Sequence, residues 1–231
     1  MTRPYELGVL GGMGPLATDV FYRFLIDHTV AHSDQEHINT LILSHASLPD
    51  RTEIIRSGRG AEFLEAVAGD FDIFNAQPLK AIAIPCNTSH YFYRELQAMT
   101  EIPIINMVEE TVKLAAEEGA RKLVVLATEG TRSTGVYEGY AEKYGLEVLP
   151  LEEGHDREVM EIIYRVKAEN VTRVPRLNEL IDHYEGRGRV VLACTELSSI
   201  DIGGREVLDA LKVLGIRAIE HCGRSYNGTN F

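Results

Sequence analysis

The chain is short of several things, and each shortage closes off a class of protein. It has three cysteines in 231 residues, irregularly spaced and with no CxxC pair. That argues against a disulfide framework or a cysteine zinc site. It has no apolar run near the roughly 18–20 residues of a membrane span and no signal-peptide pattern at its N-terminus. Basic residues are few: 23 Lys and Arg stand against 35 Asp and Glu, a formal net charge of -12. So acidic a surface offers no basic footprint, and neither a nucleic acid nor a membrane is expected as partner. Any anionic substrate must then be drawn in by a few local cations. The expected setting is the reducing cytoplasm, where a cysteine is either buried filler or a working thiol.

What is present is an ordinary globular composition, 45% hydrophobic and 25% charged. The length suits one large domain or two small ones sharing a cleft. Apolar runs at Tyr5 to Leu10, Asn39 to Ser44, Ala81 to Pro85, Lys122 to Leu126 and Arg189 to Ala193 predict strands. Helical periodicity predicts helices over Leu16 to Ile26, Ala61 to Phe74, Met160 to Ala168 and Arg176 to Tyr184, and another from about Tyr91. Pro15 suits the first helical position. Strands alternating with helices mean βαβ units, hence an α/β fold with mainly parallel sheets.

The strand into Gly11-Gly12 and the later strand into Cys86-Asn87-Thr88 are echoed by a strand into Thr128-Glu129-Gly130-Thr131 and another into Cys194-Thr195-Glu196. The chain reads as two halves with one plan, and in open α/β sheets ligands bind at the carboxyl ends of strands. Two such halves face to face set Cys86 and Cys194 on opposite walls of one cleft. Both cysteines fall at predicted strand-to-helix junctions, where unpaired N–H groups lower a thiol's pKa. Asn87, Thr88, Ser89, Thr195 and Ser198 beside them can hold a carboxylate. A base on one face of an α-carbon and an acid on the other is what racemisation requires, and a thiol can serve as either near neutrality. Cys222 lacks such flanks and is expected to be structural.

Arg51, after the Ile42-Leu43 strand, is a candidate clamp for a second carboxylate; the bland alternative pairs it at the surface with Asp50 or Glu53. Lys167 is its counterpart in the second half, or else a solvated helix lysine. Glu196 is either an orienting group for the site or a helix-capping charge. Gly12-Met13-Gly14-Pro15-Leu16-Ala17 fits the dinucleotide fingerprint G-x-G-x-x-G/A, but the second strand closes on Ser44-His45-Ala46 where an acidic residue should stand. His28, His32 and His37 have only loose metal-like spacing, and no metal is expected at the site. His45 and His90 fall near the cleft edge.

Three ordered motifs, Val9 to Thr18, Ile84-Pro85-Cys86-Asn87-Thr88-Ser89-His90 and Leu192-Ala193-Cys194-Thr195-Glu196-Leu197, resemble the aspartate/glutamate racemase family. The resemblance implies two pseudo-symmetric α/β domains, each a mainly parallel sheet flanked by helices, with the active site in the cleft between them. The division expected is 1–106 with 213–231, and 107–212. It implies a pyridoxal-free enzyme in which Cys86 and Cys194 are the paired acid and base. Asn87, Thr88, Thr128 and Thr195 would cradle the α-carboxylate, Arg51 and Lys167 would supply cations, and Met13 would line the site with Glu196 nearby. The substrate implied is a small acidic amino acid, aspartate before glutamate, with no cofactor and a homodimer as the family's assembly. At 216–231 the chain departs from the family's usual Asp-Ser/Thr-Thr segment, and Gly223 to Phe231 is expected to fray. A maleate isomerase or hydantoin racemase, with covalent attack by one cysteine, and a non-catalytic dicarboxylate-binding protein are the competing readings.

Overall fold

A computed structural model describes residues 3–228. The first half runs β1 (Leu7–Gly11), α1 (Pro15–His28), β2 (Thr40–Ser44), α2 (Arg51–Arg56), α3 (Gly60–Asn75), β3 (Ala81–Ala83) and α4 (Tyr93–Gln97). The rest runs α5 (Met107–Glu117), β4 (Lys122–Ala127), α6 (Glu129–Ser133), α7 (Val136–Tyr144), β5 (Glu147–Leu149), α8 (His155–Glu169), α9 (Pro175–Tyr184), β6 (Arg189–Ala193), β7 (Leu208–Asp209) and α10 (Ala210–His221). There are two sheets, ordered β2-β1-β3 and β5-β4-β6-β7, and every pairing within them is parallel.

Each sheet is covered on both faces, which explains why its central strands read as unbroken apolar runs. Successive side chains alternate between the two cores, as the two-residue strand period requires. Leu7 and Val9 of β1 face α1 and α10, whereas Leu10 and Ile82 face α3. In the second sheet Val124, Leu126, Val190 and Leu192 pack against α8 and α9. Leu123, Val125, Ala127 and Val191 pack against α5 and α7. The fold is thus two doubly covered α/β layers, as the strand-helix grammar and the resemblance imply.

The C-terminal segment crosses from one half to the other. Helix α10 follows β7 of the second sheet but buries Leu211, Leu214, Ala218 and Ile219 in the first half's core, beside Phe21 and Phe24. Past the helix the chain does not fray at once: Val30 N–H donates to Ser225 O at 2.9 Å and Tyr226 bridges Thr29. Residues 229–231 lie outside those described. Cys222 is fully buried in this core, and burial above all pushes its thiol up to about 11.

Candidate active site

The carboxyl ends of β1 and β3 in one sheet and of β4 and β6 in the other deliver their residues to one small cavity. It encloses about 320 Å³ of empty space, open solvent at its mouth included. The ten residues that the family resemblance assigns to the site line it: Met13, Arg51, Cys86, Asn87 and Thr88 from the first half, Thr128, Lys167, Cys194, Thr195 and Glu196 from the second. Ser89 and Ser198, also expected to hold a carboxylate, do not, and Ser198 Oγ donates to Asp209 at 2.7 Å instead. Asp50 and Thr52 complete the wall. All ten are buried except Lys167, about a third of whose side chain reaches solvent.

Each residue is held by local chemistry. The turn after β1 needs glycine at position 12, where φ is +88° and a Cβ would sit 2.5 Å from the backbone of His45. This turn brings Met13 to the cavity, where its sulfur accepts from Ser89 Oγ at 3.3 Å. Arg51 opens α2, a short helix where the sequence reads as loop; Asp50 caps it by accepting from Glu53 N–H at 2.9 Å. Asp50 and Glu53 therefore do not neutralise Arg51 at the surface. Its Nη1 donates to the carbonyls of Pro49 (2.7 Å) and Leu48 (3.3 Å), while its Nε is buried with no partner. The Asn87 amide is similarly placed: Oδ1 accepts from Tyr137 OH at 2.6 Å, and Nδ2 is buried without a partner. Buried donors left unmade cost about 1–3 kcal/mol each, and the two residues that carry these donors both line the cavity.

The thiols correct one expectation. Neither cysteine starts an α-helix: Cys86 leads into a 3-10 turn over Thr88–Phe92, and Cys194 into another over Leu197–Ser199. Side-chain bonds back to the backbone, such as Ser199 Oγ to Glu196 O at 2.8 Å, compete with helix propagation there. Cys194 Sγ donates to Glu196 Oε2 at 2.9 Å, and Glu196 Oε1 lies 3.8 Å from Lys167 Nζ. Burial first, then the Glu196 charge, raises the Cys194 thiol well above its ordinary value. Burial pulls the Lys167 ammonium down, but Glu196 and Cys194 outweigh it and leave the net shift upward. The Glu196 carboxylate thus faces Cys194 and Lys167 and makes no capping hydrogen bond to the turn it opens.

On the other wall, the backbone of Cys86 is held by His90. Met107 N–H donates to His90 Nε2 at 3.1 Å, so the ring proton sits on Nδ1, which donates to Cys86 O at 2.9 Å. Burial lowers the pKa of His90 and keeps it neutral. His45 instead pairs with Asp70 at 2.7 Å, outside the cavity.

Residues 10–218 match the family model described as Asp/Glu/Hydantoin racemase. The chain belongs to that family. It is 29% identical over 211 residues, 84% of this chain and 86% of the relative, to the broad specificity amino-acid racemase RacX of Bacillus subtilis (strain 168). Its fold is similar to the aspartate racemase of Picrophilus torridus, with a TM-score of 0.83 at 24% identity over 96% of each chain. It is also similar to the glutamate racemase of Thermus thermophilus, solved with beta-chloro-D-alanine, with a TM-score of 0.57 at 19% identity over 95% of this chain and 82% of that one. The protein is accordingly an amino-acid racemase, an isomerase.

Two residues that hold lining residues of this cavity from behind escape the sequence reading. Thr131 closes a triangle of hydroxyls with Thr88 and Thr128, at 2.9, 3.0 and 3.1 Å, across the seam between the halves. Its signal was the spacing Thr128-x-x-Thr131, in which Thr128 caps α6 by accepting from Thr131 N–H at 3.1 Å. Tyr137, which aims the Asn87 amide from α7, gives no sequence signal. Gly130 is the third contributor at the seam: a Cβ there would meet Thr52 Oγ1 at 2.7 Å and Thr52 Cα at 2.9 Å. Its bare backbone lets α6 close onto α2.

Proposed function

We propose that this racemase inverts the α-carbon of an acidic amino acid, aspartate first and glutamate second, with Cys86 and Cys194 as the two bases and no pyridoxal cofactor. The observation that carries the reading is a pair of buried thiols from opposite sheets on one cavity, together with the unpartnered donors of Asn87 and Arg51. The α-carboxylate fits the Asn87 amide with the hydroxyls of Thr88, Thr128 and Thr195. The side-chain carboxylate fits Arg51, with Lys167 at the mouth. One thiolate takes the α-proton; the electron pair left on carbon delocalises into the α-carboxylate, which these donors stabilise. The opposite thiol then delivers its proton to the other face, and the roles exchange for the reverse reaction. Glu196 keeps a proton on Cys194, so Cys194 enters as the acid in one direction and is a strong base once it has given that proton up. The division at 1–106 with 213–231 and 107–212, the cytoplasmic setting and a homodimer belong to the same proposal.

A second reading, wider amino-acid specificity, draws on the broad specificity in the name of the Bacillus subtilis relative. Chiral analysis of L-aspartate, L-glutamate and neutral L-amino acids after incubation in D2O separates the two. Racemisation of the acidic pair with deuterium at the α-carbon supports the first; equal rates on neutral amino acids favour the second. Aspartate bound with no exchange would reduce the protein to a binder. A covalent substrate adduct on either cysteine would point to maleate isomerase chemistry.

A further inference from the structure

Far from the cavity, three side chains of the second half come together at the surface: Glu152 in the loop after β5, His155 at the start of α8, and His183 in the last turn of α9. We propose that they form a site for one divalent transition-metal ion of the zinc class. Two imidazoles and one carboxylate, leaving positions open to water, are a donor set that zinc and its neighbours prefer. One ligand atom from each lies within 4.8 Å of the other two. Ligands about 2.0–2.1 Å from a tetrahedral ion stand roughly 3.3 Å apart. His183 Nε2 and Glu152 Oε1 already meet that spacing at 3.0 Å. Closing the remainder asks for side-chain rotations in groups that are partly exposed.

Two further features favour an ion over a plain ion pair. First, His183 Nε2 is screened from water and close to Glu152 but not aligned to hydrogen-bond it. That is the disposition of two ligands converging on a third body. The imidazoles of His155 and His183 stand 4.9 Å apart at 87°, a separation that lets both reach one ion. Second, the buried Tyr184 hydroxyl pre-positions the other two members. It accepts from Glu152 N–H at 2.8 Å and lies 2.8 Å from His155 Nδ1. A partner on the non-ligating ring nitrogen is the usual support of a metal-bound histidine, and here it assigns Nε2 of His155 to the ion. Arg187 also touches Glu152 Oε1; about half exposed, it can swing into solvent when the ion enters. A bound ion would tie the loop before α8 to the end of α9.

Cobalt(II) is the test probe, because its visible spectrum distinguishes nitrogen and oxygen ligands from thiolates. The whole metal-free protein should take one equivalent with no thiolate charge-transfer band, and zinc should displace it. His155→Ala and His183→Ala should each weaken binding at least tenfold, whereas His221→Ala, on the exposed side of α10, should not. A thiolate band would move the ion to the cysteines and overturn the site, as would unchanged affinity in both variants or no binding at mid-micromolar cobalt. Circular dichroism of each variant separates lost ligands from lost fold.

Discussion

Glu196 accepts the Cys194 thiol proton at 2.9 Å with one carboxylate oxygen while the other lies 3.8 Å from the Lys167 ammonium. The second wall of the cavity is therefore a three-member line of thiol, carboxylate and ammonium, whereas on the first wall a neutral His90 holds only the backbone of Cys86. The two thiols are not chemically equivalent, although the halves that carry them share a plan.

Glu196→Gln should lower the Cys194 pKa, because the amide removes a negative charge that disfavours the thiolate. A drop of one unit corresponds to about 1.4 kcal/mol. In a Cys86→Ser, Cys222→Ser background, the ultraviolet thiolate absorbance should then appear at lower pH than in the Glu196 parent. In the enzyme with all three cysteines, the basic limb of the pH–rate profile should shift the same way for the direction in which Cys194 is the acid. A thiolate titration that does not move, or moves upward, removes Glu196 from this role.

The two-base scheme makes both cysteines indispensable. Cys86→Ala and Cys194→Ala should each stop racemisation of aspartate, since one face of the α-carbon then lacks its proton donor or acceptor. Single-turnover washout of the α-proton into D2O can persist from one enantiomer in one variant and from the other enantiomer in the other, which would assign each thiol its face. Near-parental racemisation by either variant is the outcome that sinks the assignment.

Arg51 lines the cavity and its buried Nε has no partner, and a carboxylate clamp is worth about 2–5 kcal/mol when a buried carboxylate loses it. Arg51→Ala should lower kcat/KM for aspartate at least ~30-fold, with neutral amino acids far less affected. Arg51→Lys should recover little, since a point charge cannot reproduce two parallel hydrogen bonds. Equal losses on acidic and neutral amino acids would mean a structural role.

Two glycines separate function from stability. In Gly215→Ala the new Cβ would fall 2.3 Å from the Phe24 ring, inside the α1–α10 core and away from the cavity. Overpacking of this kind costs about 1–3 kcal/mol, so thermal denaturation should shift down by several degrees while kcat holds. In Gly130→Ala the clash is with the backbone of Thr52, next to Arg51, so kcat/KM should fall as well. Calorimetry beside steady-state kinetics decides between these patterns.

How much was legible follows from how each part is buried. The strands β1, β4 and β6 announce themselves because both of their faces are covered. The motifs at Cys86 and Cys194 fall where the strands end, and their six site residues reach one cavity together with Met13, Arg51, Thr128 and Lys167. Helix α10 was not legible. It is wedged between α1, α5 and the first sheet and is apolar almost all round, with Leu211, Val213, Leu214, Ile216, Ala218 and Ile219 all buried, so the one-sided periodicity of a surface helix is missing. The turns after the cysteines misled for a different reason: their hydroxyls make bonds that a helix does not use, Ser199 to the Glu196 carbonyl after Cys194, and Thr88 and Ser89 to distant side chains after Cys86. Tyr137 was out of reach because only the packing of α7 reveals which amide it holds.

The threonine triangle has a kinetic meaning. Thr88 of the first half meets Thr128 and Thr131 of the second at the seam beside the cavity, whose mouth already opens to solvent at Lys167. Three hydroxyls can trade one another for water without exposing an apolar face, so any parting of the halves at this seam is expected to be inexpensive, and its rate to bear on turnover independently of either cysteine.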